Sequence, residues 1–206
     1  MTPLLKRLFD ILLSIAALMA GIPVFVLIGL LIKREDDGSI FYRGLRIGRY
    51  GRPFKIFKFR TMVPDSEKRG GTSTPEDDPR ITRIGKFLRK YKLDELPQLI
   101  NVLNGEMSFV GPRPQVAWAV ALYGEEEKRL LSVQPGITDY ASIRFRNEAV
   151  LLRGSLDPDK DYLEKIAPEK LRLSLAYVNA MSLGTDLKII YMTLKALCGR
   201  TIKMEV

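Results

Sequence analysis

Between Ile11 and Ile32 the chain runs for 22 residues without a charge. Fourteen of these are Leu, Ile, Val or Phe. At roughly −0.3 to −0.6 kcal/mol each, they favour membrane insertion by about 4–8 kcal/mol before Gly, Ser and Pro are counted. As a helix the run rises about 33 Å, enough to cross a bilayer. It is long for the apolar core of a signal peptide. Lys33-Arg34-Glu35-Asp36-Asp37 follows it, with no small-residue cleavage site. A retained anchor is the expectation. Pro23 sits in its middle, where it cannot donate to the carbonyl of Met19 and its ring crowds that turn. Two readings follow: a kinked spanning helix, or a helix–break–helix hairpin that enters and leaves by one face. Lys6 and Arg7 before the run and Lys33 and Arg34 after it put positive charge on both flanks. The positive-inside rule applied to both flanks suits the hairpin.

The 206 residues contain no histidine and one cysteine, Cys198. This removes Ser-His-Asp and Cys-His catalysis, internal disulfides and zinc sites. Cys198 lies among apolar residues and reads as a buried, inert thiol. Acid–base or nucleophilic work falls to Asp, Glu, Lys, Tyr, Ser or Thr, and any metal to a hard cation such as Mg²⁺. The net charge of +9 is uneven: residues 1–115 carry 20 Lys/Arg against 12 Asp/Glu, and residues 116–206 carry 13 against 12. The basic first half calls for an anionic partner: nucleic acid, anionic lipid or a phosphorylated substrate.

Residues 43–60 hold seven basic residues and no acid. Gly44, Gly48, Gly51 and Pro53 exclude a helix there. Ile40 to Tyr42 and Phe54 to Arg60 read as two strands of a small β-hairpin. On that hairpin Lys58 and Arg60 either point to a phosphate or belong to a solvated basic loop. Glu67 to Asp78 reads as a surface loop. From Arg80 to Lys92, Ile81, Ile84, Phe87/Leu88 and Tyr91 recur at helical spacing between six basic residues. Such a basic amphipathic helix suits an anionic membrane surface.

Leu93-Asp94-Glu95-Leu96-Pro97 closes this helix and opens another, because Pro97 is tolerated only in a first turn. Asp94 and Glu95 are thus placed at a helix N-terminus. Acidic capping explains them, and so does chemistry, in which adjacent carboxylates divide the roles of nucleophile and of base or metal ligand. Arg89, five residues earlier, and Arg113, held between Pro112 and Pro114, suit phosphoryl transfer.

At these residues the chain resembles the bacterial sugar transferase family, the small monotopic phosphoglycosyl transferases. The matching segments are 6–10 (KRLFD), 54–62 (FKIFKFRTM), 93–103 (LDELPQLINVL), 105–114 (GEMSFVGPRP) and 135–138 (PGIT), all in order. The resemblance implies a re-entrant anchor broken at Pro23, on the cytoplasmic face of the bacterial inner membrane. It implies transfer of a phospho-sugar from a UDP-sugar to polyprenol phosphate (undecaprenyl phosphate), releasing UMP. Asp94 would be the nucleophile, forming a covalent aspartyl phospho-sugar. Mg²⁺ would bind at Asp94 and the diphosphate, and Glu95 would handle the proton of the acceptor phosphate. Lys58, Arg60, Thr61, Arg89, Pro112 and Arg113 would line the phosphate site. Many members continue Pro-Gly-Ile-Thr with Gly-Trp-Ala-Gln, whereas here Asp139-Tyr140-Ala141-Ser142 follows. The departure falls where the nucleotide or sugar pocket is shaped.

Arg144 and Arg146 straddle Phe145, and on a strand both would face one side toward a phosphate or solvent. Gln115 to Tyr123 and Glu125 to Leu131 read as helices split by Gly124, with Glu125 to Glu127 a solvated first turn. Asp157 to Asp161 is an acidic turn that lacks a calcium-loop pattern. Pro168 opens a helix through Tyr177, and Asp186 a final amphipathic helix through Leu197.

The expected fold is α+β and mostly helical, with an anchor over residues 1–34 and a catalytic domain over residues 35–206. The expected partners are a UDP-sugar, polyprenol phosphate and membrane lipids, and no nucleic acid. Pairing into a homodimer is left open. The competing reading is a non-catalytic, membrane-anchored basic scaffold for anionic lipids.

Overall fold

A computed structural model describes residues 3–200. The apolar run forms the core of one long helix, α1 (Pro3–Glu35), with Pro23 inside it. Its surface is apolar and largely uncovered: Leu12, Ile15, Met19, Ile22 and Leu27 are exposed. The flanks of α1 are docked. Lys6 pairs with Asp186 at 2.6 Å, and Arg7 donates to the carbonyls of Val102 and Leu103 at 2.5 and 2.7 Å. The buried Asp10 accepts from the Phe109 amide at 3.1 Å. At the other end Ile28 and Ile32 are buried with Phe59 and Leu88.

The expected hairpin is present, in two pieces. β1 (Phe41–Tyr42) pairs antiparallel with β4 (Lys58–Phe59), and β2 (Leu45–Ile47) with β3 (Pro53–Lys55). Both pairs keep one register, Phe41 opposite Phe59 and Leu45 opposite Lys55, so the ribbon is continuous around a tip at Tyr50 and Gly51. Both tip residues have positive φ, 59° and 74°. The ladder lapses at Phe57, and the buried Asn101 side chain takes over. It accepts from the Phe57 amide at 2.8 Å and donates to the Lys55 carbonyl at 3.0 Å. Replacing Asn101 with Ala leaves the half-buried Phe57 amide and the more exposed Lys55 carbonyl without these partners, at a cost near the low end of about 1–3 kcal/mol. Asn101→Ala is therefore expected to unfold at lower temperature in detergent by several degrees, whereas an exposed change such as Asn104→Ala is not.

The amphipathic segment forms α2 (Arg83–Lys90), capped by Thr82, whose hydroxyl accepts from the Gly85 amide at 3.0 Å. Its apolar residues divide: Leu88 enters the core, while Phe87 and Tyr91 remain exposed with their rings 4.9 Å apart. A single 3₁₀ turn (Leu93–Glu95) then precedes α3 (Gln98–Leu103). Asp94 and Glu95 sit in that turn rather than in the first turn of α3. Lys92, at φ 58°, makes the sharp corner that starts it.

β5 (Ser108–Val110) and β6 (Gly136–Thr138) pair in parallel. Gly111 and Gly136 stand face to face, and a Cβ on Gly136 would lie 2.1 Å from the Gly111 nitrogen. Between the strands lie α4 (Ala117–Val120) and a 3₁₀ segment (Glu127–Ser132), both shorter than expected. α5 (Tyr140–Arg144), α6 (Glu148–Leu151), α7 (Pro158–Lys165), α8 (Ala167–Asn179) and α9 (Leu183–Leu197) complete the domain. Its main core gathers Val110, Tyr140, Leu173, Tyr177, Ile189 and Met192. The fully buried Tyr177 hydroxyl lies 2.8 Å from Asp186 and 3.1 Å from the Val110 carbonyl. The ion pair from Lys6 thus reaches strand β5 through two side chains.

Three expectations are corrected. Arg144 and Arg146 do not share a strand face, because Asp139 accepts from the Ser142 amide at 2.7 Å and starts α5. Cys198 is exposed, since it follows the last turn of α9 instead of packing under it. The acidic turn at Asp157 is a helix start, with its carboxylate accepting from the Lys160 amide at 3.1 Å.

Candidate active site

A cleft of about 2100 Å³ runs from Ala17 on α1 past the carboxylate pair to Trp118 and Leu197. That exceeds the room one ligand ordinarily needs, roughly 300–1000 Å³, and suits two large substrates. Lys58, Arg60, Thr61, Arg89, Asp94, Glu95, Arg113 and Arg146 line it; Arg144 is exposed and lies outside the lining. Pro112 is buried behind it, its carbonyl accepting from the Gly136 amide at 2.9 Å. This bond and the Gly111 amide on the Thr138 carbonyl, 3.0 Å, fix the arm that carries Arg113.

The two carboxylates have unlike surroundings. Glu95 is engaged on both oxygens: Lys58 donates at 2.8 Å, and Arg113 grips it through two nitrogens at 2.5 and 3.1 Å. Burial pushes its carboxyl up, but the charges of Arg113 and Lys58 overcome this and hold it well below the usual range. The same carboxylate raises the Arg113 guanidinium above its ordinary value. Asp94 is more deeply placed and less engaged. One oxygen approaches Lys58 at 3.9 Å, and the other, Oδ1, is buried with no hydrogen-bond partner among the described residues. Burial raises its carboxyl, the charge of Lys58 partly offsets this, and the neighbouring Glu95 raises it further. The pair is therefore split into a saturated carboxylate that stays ionised and a free one that binds protons more readily.

Arg89 donates to the Thr61 hydroxyl at 2.9 Å, and its guanidinium is lowered by burial. Thr61 and α2 meet closely because residue 85 is glycine: a Cβ there would lie 2.0 Å from the Thr61 carbonyl oxygen. Arg60 behaves differently from Lys58. It is bound to Asp36, just past α1, and so ties the hairpin to the end of that helix. Among the described residues no group of three or more His, Cys, Asp or Glu side chains is arranged to hold a metal. Among the described residues, Asp94 Oδ1 is the one carboxylate oxygen of the cleft that is buried and without a partner; Ser142 Oγ is a second buried, unpartnered oxygen there, on a neutral hydroxyl.

Sequence reasoning missed part of the site. Buried Lys170 and half-buried Glu148 form an ion pair in the cleft, and the Lys170 ammonium lies 5.1 Å from the centre of the Tyr162 ring. Both residues line the cleft. Nothing in their local sequence distinguishes them from surface charges on helices.

A family model described as bacterial sugar transferase matches residues 1–200. The exopolysaccharide production protein ExoY of Sinorhizobium fredii is 39% identical over 208 residues, covering 94% of this chain and 85% of that protein. The UDP-glucose:undecaprenyl-phosphate glucose-1-phosphate transferase of Escherichia coli is 38% identical over 198 residues, covering 92% of this chain and 39% of that protein. The undecaprenyl-phosphate glucose phosphotransferase of Komagataeibacter xylinus is 39% identical over 197 residues, covering 92% of this chain and 35% of that protein. The last two relatives are thus much longer than the segment they share with this chain.

Proposed function

The chain belongs to the bacterial sugar transferase family, and from that premise we propose that it transfers a sugar 1-phosphate from a UDP-sugar to undecaprenyl phosphate through an aspartyl phospho-sugar. The observation that carries the choice of nucleophile is the free Asp94 Oδ1 beside a fully engaged Glu95. A nucleophile needs an available lone pair, and of the two adjacent carboxylates Asp94 carries the oxygen without a partner.

In the first step the Asp94 carboxylate oxygen attacks the sugar-linked phosphorus. The bond from that phosphorus to the bridging oxygen breaks, and UMP leaves with the electron pair. In the second, a phosphate oxygen of undecaprenyl phosphate attacks the same phosphorus, and the Asp94 carboxylate is released. Lys58, Arg89 and Arg113 neutralise charge that spreads over the phosphoryl oxygens. A phosphate monoester has its second pKa near 6 and is mostly dianionic at neutral pH, so the acceptor needs little base. Glu95, held well below the usual carboxylate range, serves better to aim Lys58 and Arg113 than to take a proton. Magnesium fits as a cofactor: Asp94 Oδ1 offers one hard oxygen, and Mg²⁺ ordinarily takes its other ligands from phosphates and water. When bound it would neutralise the diphosphate.

Residues 1–34 act as the anchor and residues 35–206 as the catalytic domain, on the cytoplasmic face of the inner membrane. The anchor is read as re-entrant, bent at Pro23. On a straight rod Arg7 and Ile28 stand about 32 Å apart. Yet Arg7 holds the Val102–Leu103 end of α3, while Ile28 packs in a cluster bordered by Leu96, at its beginning. Those two ends are only roughly 10 Å apart along a helix. Basic flanks on both sides of the run support the same topology.

Giving purified protein a UDP-sugar without lipid acceptor tests the covalent step. The expected result is a mass gain of one sugar phosphate, mapped to Asp94, with release of one UMP per chain. Acceptor-dependent UMP release without any adduct would establish direct transfer. No UMP release with any UDP-sugar would leave the anchored scaffold as the better account.

A further inference from the structure

Away from the carboxylate pair in sequence, the same cleft carries a second, unassigned polar group. Glu148, at the start of α6, binds the Lys170 ammonium of α8. Lys170 is only 7% exposed, so its charge is held in a place that ordinary surface lysines avoid. The ammonium lies against the Tyr162 ring, and the Tyr162 hydroxyl meets the Gln115 side-chain amide at 3.4 Å. All four residues line the same cleft as Asp94. The Glu148 charge acts on Arg113, which in turn grips Glu95, so this group and the carboxylate pair are linked through a single arginine.

Holding a lysine buried against a half-buried carboxylate is a poor device for stability, since desolvation of the ammonium can offset the attraction gained. The same pair is well suited to reading a polyol. Glu148 accepts from hydroxyls, Lys170 donates to them, Tyr162 and Gln115 do either, and the arrangement is fixed before a ligand arrives. Lys58 and Arg113, assigned above to phosphate, are engaged with Glu95, whereas Lys170 is engaged with Glu148. Of the parts of a nucleotide-sugar, the one rich in hydroxyls and free of charge matches this group. Resting on the transferase reading above, we infer that Glu148, Lys170, Tyr162 and Gln115 bind the sugar ring and select which sugar is transferred.

The test compares wild type, Glu148→Gln and Tyr162→Phe for UMP release over UDP-sugars that differ at single hydroxyls, such as UDP-glucose and UDP-galactose. Both changes keep shape, and Tyr162→Phe keeps the ring under Lys170. A hydroxyl bonded to a buried polar group discriminates strongly against the analogue that misplaces it. The ratio of kcat/KM between epimers is therefore expected to shift by at least about 10-fold in one or both variants, with inhibition by UMP alone unchanged. Wild-type ratios in both variants, with all sugars slowed equally, overturn the inference, as does a matching loss of UMP inhibition, which would place the nucleotide there. Wild-type protein inactive with every UDP-sugar, by contrast, defeats the transferase reading itself. Should Glu148→Gln not fold, the Tyr162→Phe ratio decides alone.

Discussion

Asp94→Asn should lose turnover by at least about 10³-fold while the protein still folds and partitions with membranes. The substitution keeps the side chain's shape and removes the buried, unpartnered carboxylate oxygen of the cleft. Loss of a covalent nucleophile leaves only the contributions of binding and charge stabilisation. The stability consequence has the opposite direction. Burial raises the Asp94 carboxyl above its ordinary value, so ionised Asp94 destabilises the fold. That penalty is absent below the unfolded value near 3.8 and grows as pH rises through the folded value. At neutral pH Asp94→Asn should therefore unfold at the same or a higher temperature than wild type. The trade of stability for activity is common at active sites. Wild-type kcat/KM should fall on the acid side at a pH above that of an ordinary aspartate. Thermal melts and a pH–rate profile check both statements. A variant with wild-type UMP release would move the nucleophile elsewhere.

Glu95→Gln is expected to cost both activity and stability. Its two oxygens hold Lys58 and Arg113. Glutamine presents an amide donor to one of these cations and leaves them facing each other without a counter-charge. Breaking a buried ion pair from one side costs about 3–5 kcal/mol. Arg113 is 31% exposed along its side chain, which lowers the expected loss to about 2–3 kcal/mol. Turnover should drop by about 10²-fold or more as the cations lose their aim, in line with removal of other charge-stabilising groups. The pH signature separates this variant from Asp94→Asn. The Glu95 carboxyl is lowered on folding, so its stabilisation is present above the unfolded value near 4.5 and is lost as pH falls through the folded value. The melting gap between wild type and Glu95→Gln should be constant near neutral pH and narrow below about 4.5. A gap that widens in acid would show that Glu95 is not held by these cations.

Several elements were legible in the residues themselves. The long apolar helix followed from the uncharged run between Ile11 and Ile32, which forms the middle of α1. The hairpin followed from two apolar segments separated by Gly48, Gly51 and Pro53, and it pairs in one register. Other readings failed for identifiable reasons. The strand reading of Arg144 and Arg146 overlooked Asp139, whose capping carboxylate turns the chain into α5. Pairing Phe87 with Leu88 as one stripe position hid the fact that only Leu88 enters the core. Arg60, grouped with Lys58 by spacing, is bound to Asp36 instead.

Length without charge, helical and strand periodicity, and an Asp-Glu pair before Pro97 are properties of neighbouring residues, and so the sequence alone determined the long apolar helix, the hairpin and the short turn that carries the carboxylate pair. Only the tertiary structure decided which carboxylate is free. Lys58 and Arg113 reach Glu95 across 37 and 18 positions of chain, and Lys170 reaches Glu148 across 22. Such pairings depend on how distant elements pack, because a side chain's charge state and availability are set by whatever the fold brings against it.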